Sequence, residues 1–227
     1  MNIIDIFYKP NTVFTDIRKT ATWVQSFIIL SILSIVVAYF MLPINEIVSR
    51  SMLQAKGVTP EQMGMGKTAA EKFKYFVLIG IPFGLVFEIA MPSLLIYLGL
   101  VAYKSKVKFV KIFSLVTTAS IFSVFGLAVN VAILYIRGLD AIKGADDLSV
   151  IGLNLLFNVE ETGLPLYQFL AGINVFELWY ALILIFGLSK IADIKIGKSV
   201  VVFLYSWALI ALFGFAIAVF SEIMTKQ

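Results

Sequence analysis

FVLIGIPFGLVFEIAMPSLLIYLGLVA, residues 76–102, carries a single charged side chain, Glu88. An α-helix needs about 20 apolar residues to cross the hydrocarbon core of a bilayer, so this stretch is long enough to span. Pro82 and Pro92 would break such a helix in water. Inside a bundle, neighbouring groups take up the freed carbonyls, and the run reads as one bent helix. Glu88 stands near its middle, in the triplet Phe87-Glu88-Ile89. A carboxylate at that depth costs about 3 kcal/mol even on lenient insertion scales, which marks a functional-site hypothesis with a partner to be found. A second triplet of the same type, Phe176-Glu177-Leu178, lies inside another apolar stretch of spanning length, residues 166–188.

Composition agrees with a bilayer solvent. The 227 residues are 60% hydrophobic and 14% charged, against about 25% charged in a soluble domain. With no Cys, disulfides, thiolate nucleophiles and sulfur metal sites are excluded. With no His, the usual general base near neutral pH and the commonest transition-metal ligand are missing too. No phosphate-binding loop, dinucleotide fingerprint or nucleophile elbow occurs, so no cofactor and no nucleic acid is expected.

Five stretches reach spanning length: 23–42, 76–102, 112–136, 166–188 and 200–220. They predict an all-α, polytopic bundle of five transmembrane helices (residues 23–227), preceded by an amphipathic segment (residues 1–22). Orientation follows from Lys and Arg in the short connections. Lys104, Lys106, Lys108 and Lys111 lie between spans 2 and 3 with no acid, and Lys190, Lys195 and Lys198 lie between spans 4 and 5 beside one Asp193. These loops are expected in the cytoplasm, with the N-terminus inside and the C-terminus outside. Residues 137–165 support this, with two basic side chains against Asp140, Asp146, Asp147, Glu160 and Glu161. Arg50, Lys56, Lys67, Lys72 and Lys74 run against it, in a longer loop that the rule constrains less.

Residues 1–22 lack the continuous apolar region of a cleavable signal peptide, so the first span is expected to be retained. Ile3 with Phe7, and Val13 with Ile17, pair at i,i+4 around Pro10-Asn11-Thr12, with Asn11 or Thr12 as the expected cap. Such a segment either lies in the membrane interface or packs under the bundle. After span 1, the stripe Ile44, Ile47, Val48 and Met52 and the capping signal Thr59-Pro60-Glu61-Gln62 predict short surface helices. Residues 148–157 are apolar but too short to span, and read as an interfacial or re-entrant piece.

Spans 2 and 3 and spans 4 and 5 form hairpins of the same polarity. Phe87-Glu88-Ile89 aligns with Phe176-Glu177-Leu178, and Gly99-Leu100 with Gly187-Leu188 if one gap is allowed. A parallel repeat of this kind turns about an axis along the membrane normal and brings sites together at the repeat interface. Glu88 and Glu177 are then a candidate proton or cation site. The alternative is a pair of structural glutamic acids bonded to neighbours such as Asn130, Asn174, Thr117 or Ser120.

Other features read more plainly. Gly80 and Gly84 form a small-xxx-small pattern that predicts close helix packing. Trp179 and Tyr180 are expected in the bundle interior. The acidic loop has oxygen ligands for Ca²⁺ or Mg²⁺ in Asp146, Asp147, Glu160 and Glu161, but its spacing matches no known site, and no metal is expected. Glu160-Glu161 suggests a double-glutamate intramembrane protease, a class that also needs histidines. The seven lysines of the two loops are candidate contacts for anionic lipid headgroups.

The stretch from Phe169 to Trp179, followed by Gly187-Leu188 and Ile196-Gly197-Lys198-Ser199, resembles the bacterial branch of the Yip family, five-span membrane proteins that interact with Ypt/Rab GTPases. Phe7, Pro10, Phe14, Ile17 and Trp23 resemble its opening. The resemblance implies an all-helical bundle without enzymatic activity. Eukaryotic relatives bind prenylated Rab GTPases and act in vesicle traffic. This sequence lacks their long soluble N-terminal region and the Asp-Leu-Tyr-Gly-Pro type motif, so what carries over is a membrane-embedded scaffold, expected in a bacterial inner membrane. Its partners would be the bilayer, anionic lipids and a protein or second copy. The competing reading is a small transporter or ion permease using Glu88 and Glu177.

The native chain is free of cysteine, which makes the topology directly testable. A membrane-impermeant thiol reagent added to intact cells should label Ala145→Cys and leave Ser105→Cys unlabelled; the reverse pattern overturns the orientation.

Overall fold

The computed structural model describes residues 3–55, 57, 58 and 60–225, which form α-helices and short 3-10 turns with no strand among them. The helices are α1 (Pro10–Thr20), α2 (Val24–Ala55), α3 (Pro60–Ala102), α4 (Phe109–Ala119), α5 (Ile121–Arg137), α6 (Val159–Thr162), α7 (Leu164–Ala171), α8 (Val175–Ala192) and α9 (Ile196–Thr225). Five segments are long and apolar enough to cross a membrane: Val24–Gln54, Tyr75–Ala102, Phe109–Arg137, Val175–Ala192 and Ile196–Ile217. The protein is an all-α, five-span membrane protein.

Several boundaries differ from expectation, each for a local reason. α2 and α3 have 32 and 43 residues, about 48 and 65 Å at 1.5 Å per residue, and must project beyond a hydrocarbon core of about 30 Å. The segment expected as a separate surface helix after span 1 is therefore a continuation of α2 through Pro43. Its Ile44 and Val48 are buried against Val131, Leu134 and Ile142. The Tyr135 hydroxyl donates to the Phe40 carbonyl at 2.9 Å, about one turn before that proline. Likewise, the predicted start at Pro60 opens α3 itself; the expected cap, Thr59, lies outside the described residues. Span 3 is α4 and α5 joined at Ser120. Here Ser114, Thr117, Thr118 and Ser120 all donate to the carbonyl four residues back, a habit that bends helices.

The N-terminal segment packs under the bundle. α1 starts with Pro10 at its first position and Lys9 as the cap, without a side-chain cap bond, so neither Asn11 nor Thr12 takes that role. Val13, Phe14 and Ile17 are buried where α1 meets α4 and α8. The polar side of the contact is held by Lys111, which donates to the Arg18 carbonyl, and by Arg18, 3.7 Å from Asp193.

The two hairpins, α3 with α4 and α8 with α9, close into a ring: α3 packs on α4, α4 on α8, α8 on α9 and α9 on α3. Equivalent helices thus lie across the ring from each other. Both outgoing helices stop on a non-glycine residue in the left-handed region, Lys104 (φ 56°) and Asp193 (φ 54°). The sequence distance from Glu88 to Lys104 equals that from Glu177 to Asp193. In both, the following amide bonds back five residues, Ser105 to the Leu100 carbonyl at 3.1 Å and Ile194 to the Ser189 carbonyl at 3.2 Å, the bond that closes a Schellman stop. The close approaches are reciprocal as well. A side chain at Gly99 would meet Val202 at 3.1 Å, and one at Gly187 would meet Leu115 at 2.5 Å. Val202 and Leu115 both stand six residues beyond the first residue of their helix. The two glycines are offset by one residue in this register, five before Lys104 and six before Asp193, so the contacts match at the level of helices, as a parallel repeat would have them.

The Gly80 and Gly84 pattern does not pack against any of the described residues. A Cβ at either position meets nothing within 4 Å, because the glycines lie on the face of α3 opposite the core contacts of Leu85 and Ile89, the side that leaves Phe76, Phe83 and Phe87 strongly exposed. Gly126 is the close approach instead, since its Cβ would lie 2.8 Å from that of Phe176, which has no freedom to swing aside. Gly126→Ala should therefore cost about 1–3 kcal/mol of stability through overpacking. Gly84→Ala should be neutral or gain up to about 1 kcal/mol from helix propensity. Thermal unfolding of the two variants in detergent checks the contrast; equal effects would overturn the packing assignment.

Candidate functional site

Span 4 begins later than hydropathy predicts, at Val175 instead of Leu166, because the chain breaks at Gly172-Ile173-Asn174. Asn174 caps α8: its Oδ1 accepts from the amides of Phe176 at 3.0 Å and Glu177 at 3.1 Å. A side-chain acceptor at this position satisfies amides that a helix start otherwise leaves bare. The break is held from outside by the 150s loop, where Leu153 donates to the Ile173 carbonyl at 2.9 Å and Gly152 bridges to Asn174. No side chain fits at Gly152, since a Cβ there would lie 2.5 Å from the Ala171 carbonyl oxygen.

Asn130 does the matching work on α5. Its Nδ2 donates to the Leu148 carbonyl at 2.7 Å and its Oδ1 accepts from the Val150 amide at 2.9 Å, so one buried amide pins both ends of the loop's turn. Asn154, fully buried, ties the same loop to Ser149. Residues 148–157 thereby form an ordered cap of 3-10 turns, with Leu155, Leu156 and Phe157 facing outward.

Between α5, α7, the start of α8 and this cap lies a cavity of about 390 Å³. Asn130, Asn174 and Glu177 line it, with Ser123, Tyr167, Gln168 and Asp146. Glu177 is in the first turn of α8 and shares the cavity wall with Ser123. A carboxylate is favoured there by the positive end of the helix dipole. The arrangement can hold water or a small polar solute against one carboxylate and a fan of amide and hydroxyl groups.

The pattern of one known family, the Yip1 domain, matches residues 4–218. The chain belongs to the Yip1 domain family. No curated protein and no solved structure matches it.

Within this Yip1 domain, three of the four polar residues that the sequence offers as a site, Asn130, Asn174 and Glu177, meet in one cavity. Glu88 does not line it: it is exposed on α3, within electrostatic range of Glu177 and Tyr180 and without a hydrogen bond to either. Glu177 itself is at a helix start and not mid-span, which hydropathy could not show because Leu164–Ala171 is about as apolar as the helix that follows. Trp179 is half-exposed and stacks on Phe122 at 6.0 Å, so it does not fill the interior, whereas Tyr180 packs on the core. Ser123, Tyr167 and Gln168 carry no signal in the sequence; only the fold brings them to the cavity.

The acidic loop is used locally. Asp147 accepts from the amides of Lys143 and Gly144, Glu160 and Glu161 begin the short α6, and among the described residues no three Asp or Glu side chains converge on a cation position. At the opposite end, Lys104, Lys106, Lys195 and Lys198 line a common groove. Lys108 holds the cap position of α4, Lys111 is bonded to α1, and Lys190 lies beside Arg18.

Asn130→Leu preserves shape and removes both loop bonds, leaving buried backbone groups unsatisfied at about 1–3 kcal/mol. Amide hydrogen exchange across residues 145–157 should accelerate markedly while α8 stays protected. Asn174→Ala should instead lower overall stability by about 1 kcal/mol. Unchanged exchange in the Asn130 variant would overturn its pinning role.

Proposed function

We propose that this Yip1 domain is a non-enzymatic, membrane-organising scaffold that binds a partner and conducts nothing. The observation that carries the reading is the apolar layer beneath the polar cavity. Leu100, Ile112, Leu115, Val116 and Leu188, drawn from three helices of the ring, are all fully buried, and α1 closes the layer from below with Phe14 and Ile17. An interior packed to this degree leaves no room for a file of water. Above it, Asn130 and Asn174 are engaged in pinning and capping. Glu88 is exposed on α3 beside the buried Ile89, and a partner in the bilayer or a second copy could cover it.

The basic end, where α1 and both lysine loops meet, would face the cytoplasm by the positive-inside rule. A bacterial inner membrane fits the resemblance of this chain to the bacterial branch of the family. The second reading, a small proton or cation transporter, draws support from the 390 Å³ cavity with Glu177 at its wall.

Reconstitution separates them. Liposomes containing the wild type should show no proton or cation flux above empty liposomes under imposed pH, sodium or potassium gradients. The Glu88→Gln, Glu177→Gln double variant should behave the same way and stay folded. Flux in the wild type that vanishes in the folded double variant would replace the scaffold with a transporter.

A further inference from the structure

The groove at the basic end is built by the two equivalent stop loops. It has a volume of about 480 Å³ and is lined by Tyr103, Lys104 and Lys106 from one loop and by Asp193, Lys195 and Lys198 from the other. Since Lys104 and Asp193 occupy the same left-handed stop in their hairpins, the groove lies between matched elements of the repeat. Four lysines face one acid, Asp193, which also lies 3.7 Å from Arg18 of α1, so the groove keeps a net positive charge. Lys198 is steadied by the Tyr103 ring, whose centroid lies 5.2 Å from its Nζ.

The first turn of α9 opens beside this cluster. The amides of Lys198 and Ser199 return to the Lys195 carbonyl, while those of Ile196 and Gly197 meet no acceptor among the described residues. Gly197 has open space on its Cα, with nothing within 4 Å of an added Cβ. Bare amides at the start of a 30-residue helix, converging lysines and an unobstructed glycine are the elements of a phosphate site. The groove stands where the membrane-spanning segments Tyr75–Ala102 and Val175–Ala192 end, and the ends of spans are where a chain meets lipid headgroups.

We propose that this groove binds a phosphate group, presented by an anionic phospholipid, and so anchors one headgroup between the two halves of the repeat. The site is independent of the polar cavity at the other end, and its test does not depend on whether the chain transports anything.

The purified full chain is mixed with phosphatidylglycerol and phosphatidylcholine in detergent, and retained lipid is read by native mass spectrometry. Wild type should keep one phosphatidylglycerol in preference to phosphatidylcholine. Lys195→Gln with Lys198→Gln should cut that retention about tenfold or more. Lys19→Gln with Lys108→Gln removes the same charge outside the groove lining and should change retention less than about twofold. Gly197→Leu, which puts bulk into the open space beside the bare amides and alters no charge, should also weaken retention, whereas a site of diffuse attraction would be unaffected. Inorganic phosphate distinguishes the source: displacement of the lipid by millimolar phosphate assigns the groove to free phosphate as well, and resistance assigns it to the lipid-borne group. No preference for phosphatidylglycerol, or equal loss in both lysine pairs, overturns the site.

Discussion

In hydrocarbon, every backbone amide and carbonyl has to find its partner within the protein, and the cost of failure is several kcal/mol per group. The break before α8 is the place where this constraint is most severe, because a helix start near the membrane leaves amides bare. Asn174 covers two of them, the 150s loop covers the Ile173 carbonyl, and Asn130 covers the loop in turn. The cavity is the geometric consequence. Three stretches of chain that must keep polar groups facing one another cannot also fill the space between them with apolar side chains.

At the other end the constraint has a different solution. Both outgoing helices end in the same left-handed stop, and each meets the return helix of the opposite hairpin through a glycine, Gly99 against Val202 and Gly187 against Leu115. Such contacts need small residues because dispersion between closely packed backbones, and not expulsion of water, drives helix association in lipid. The result is a dry half and a wet half in one bundle. α1 belongs to the dry half: Phe14 lies against the same Gly187 that admits Leu115, so the amphipathic segment is part of the ring's packing and not an accessory to it.

How much of this could be read from the chain depends on the kind of signal. Spans announce themselves through composition, so all five were legible. The beginning of span 4 was not, since Leu164–Ala171 and Val175–Ala192 are both apolar and the break rests on one asparagine and on a loop distant in sequence. The extension of α2 through Pro43 was hidden for a similar reason: a proline reads as a stop unless a neighbour such as Tyr135 is known to stand beside it. Gly80 and Gly84 misled in the opposite direction, because small-residue spacing signals that a close approach is permitted without saying that this chain supplies the other helix. The lysine loops carried their charge openly, but only the ring shows that Lys104, Lys106, Lys195 and Lys198 share a groove.

The two glutamates show what the repeat leaves unequal. Each precedes its helix stop by the same interval, Glu88 before Lys104 and Glu177 before Asp193, so one position on the shared scaffold carries a carboxylate twice. In the second hairpin the helix begins at Val175, just ahead of Glu177, and the carboxylate finds a helix dipole and a polar cavity whose wall it shares with Ser123. In the first hairpin α3 runs on without a break, so Glu88 gains none of these and stays exposed. A charged group that its own chain does not satisfy at membrane depth is tolerated only where something else satisfies it. The break before α8 thus divides the pair, with one carboxylate at the wall of a polar cavity and the other exposed on an unbroken helix.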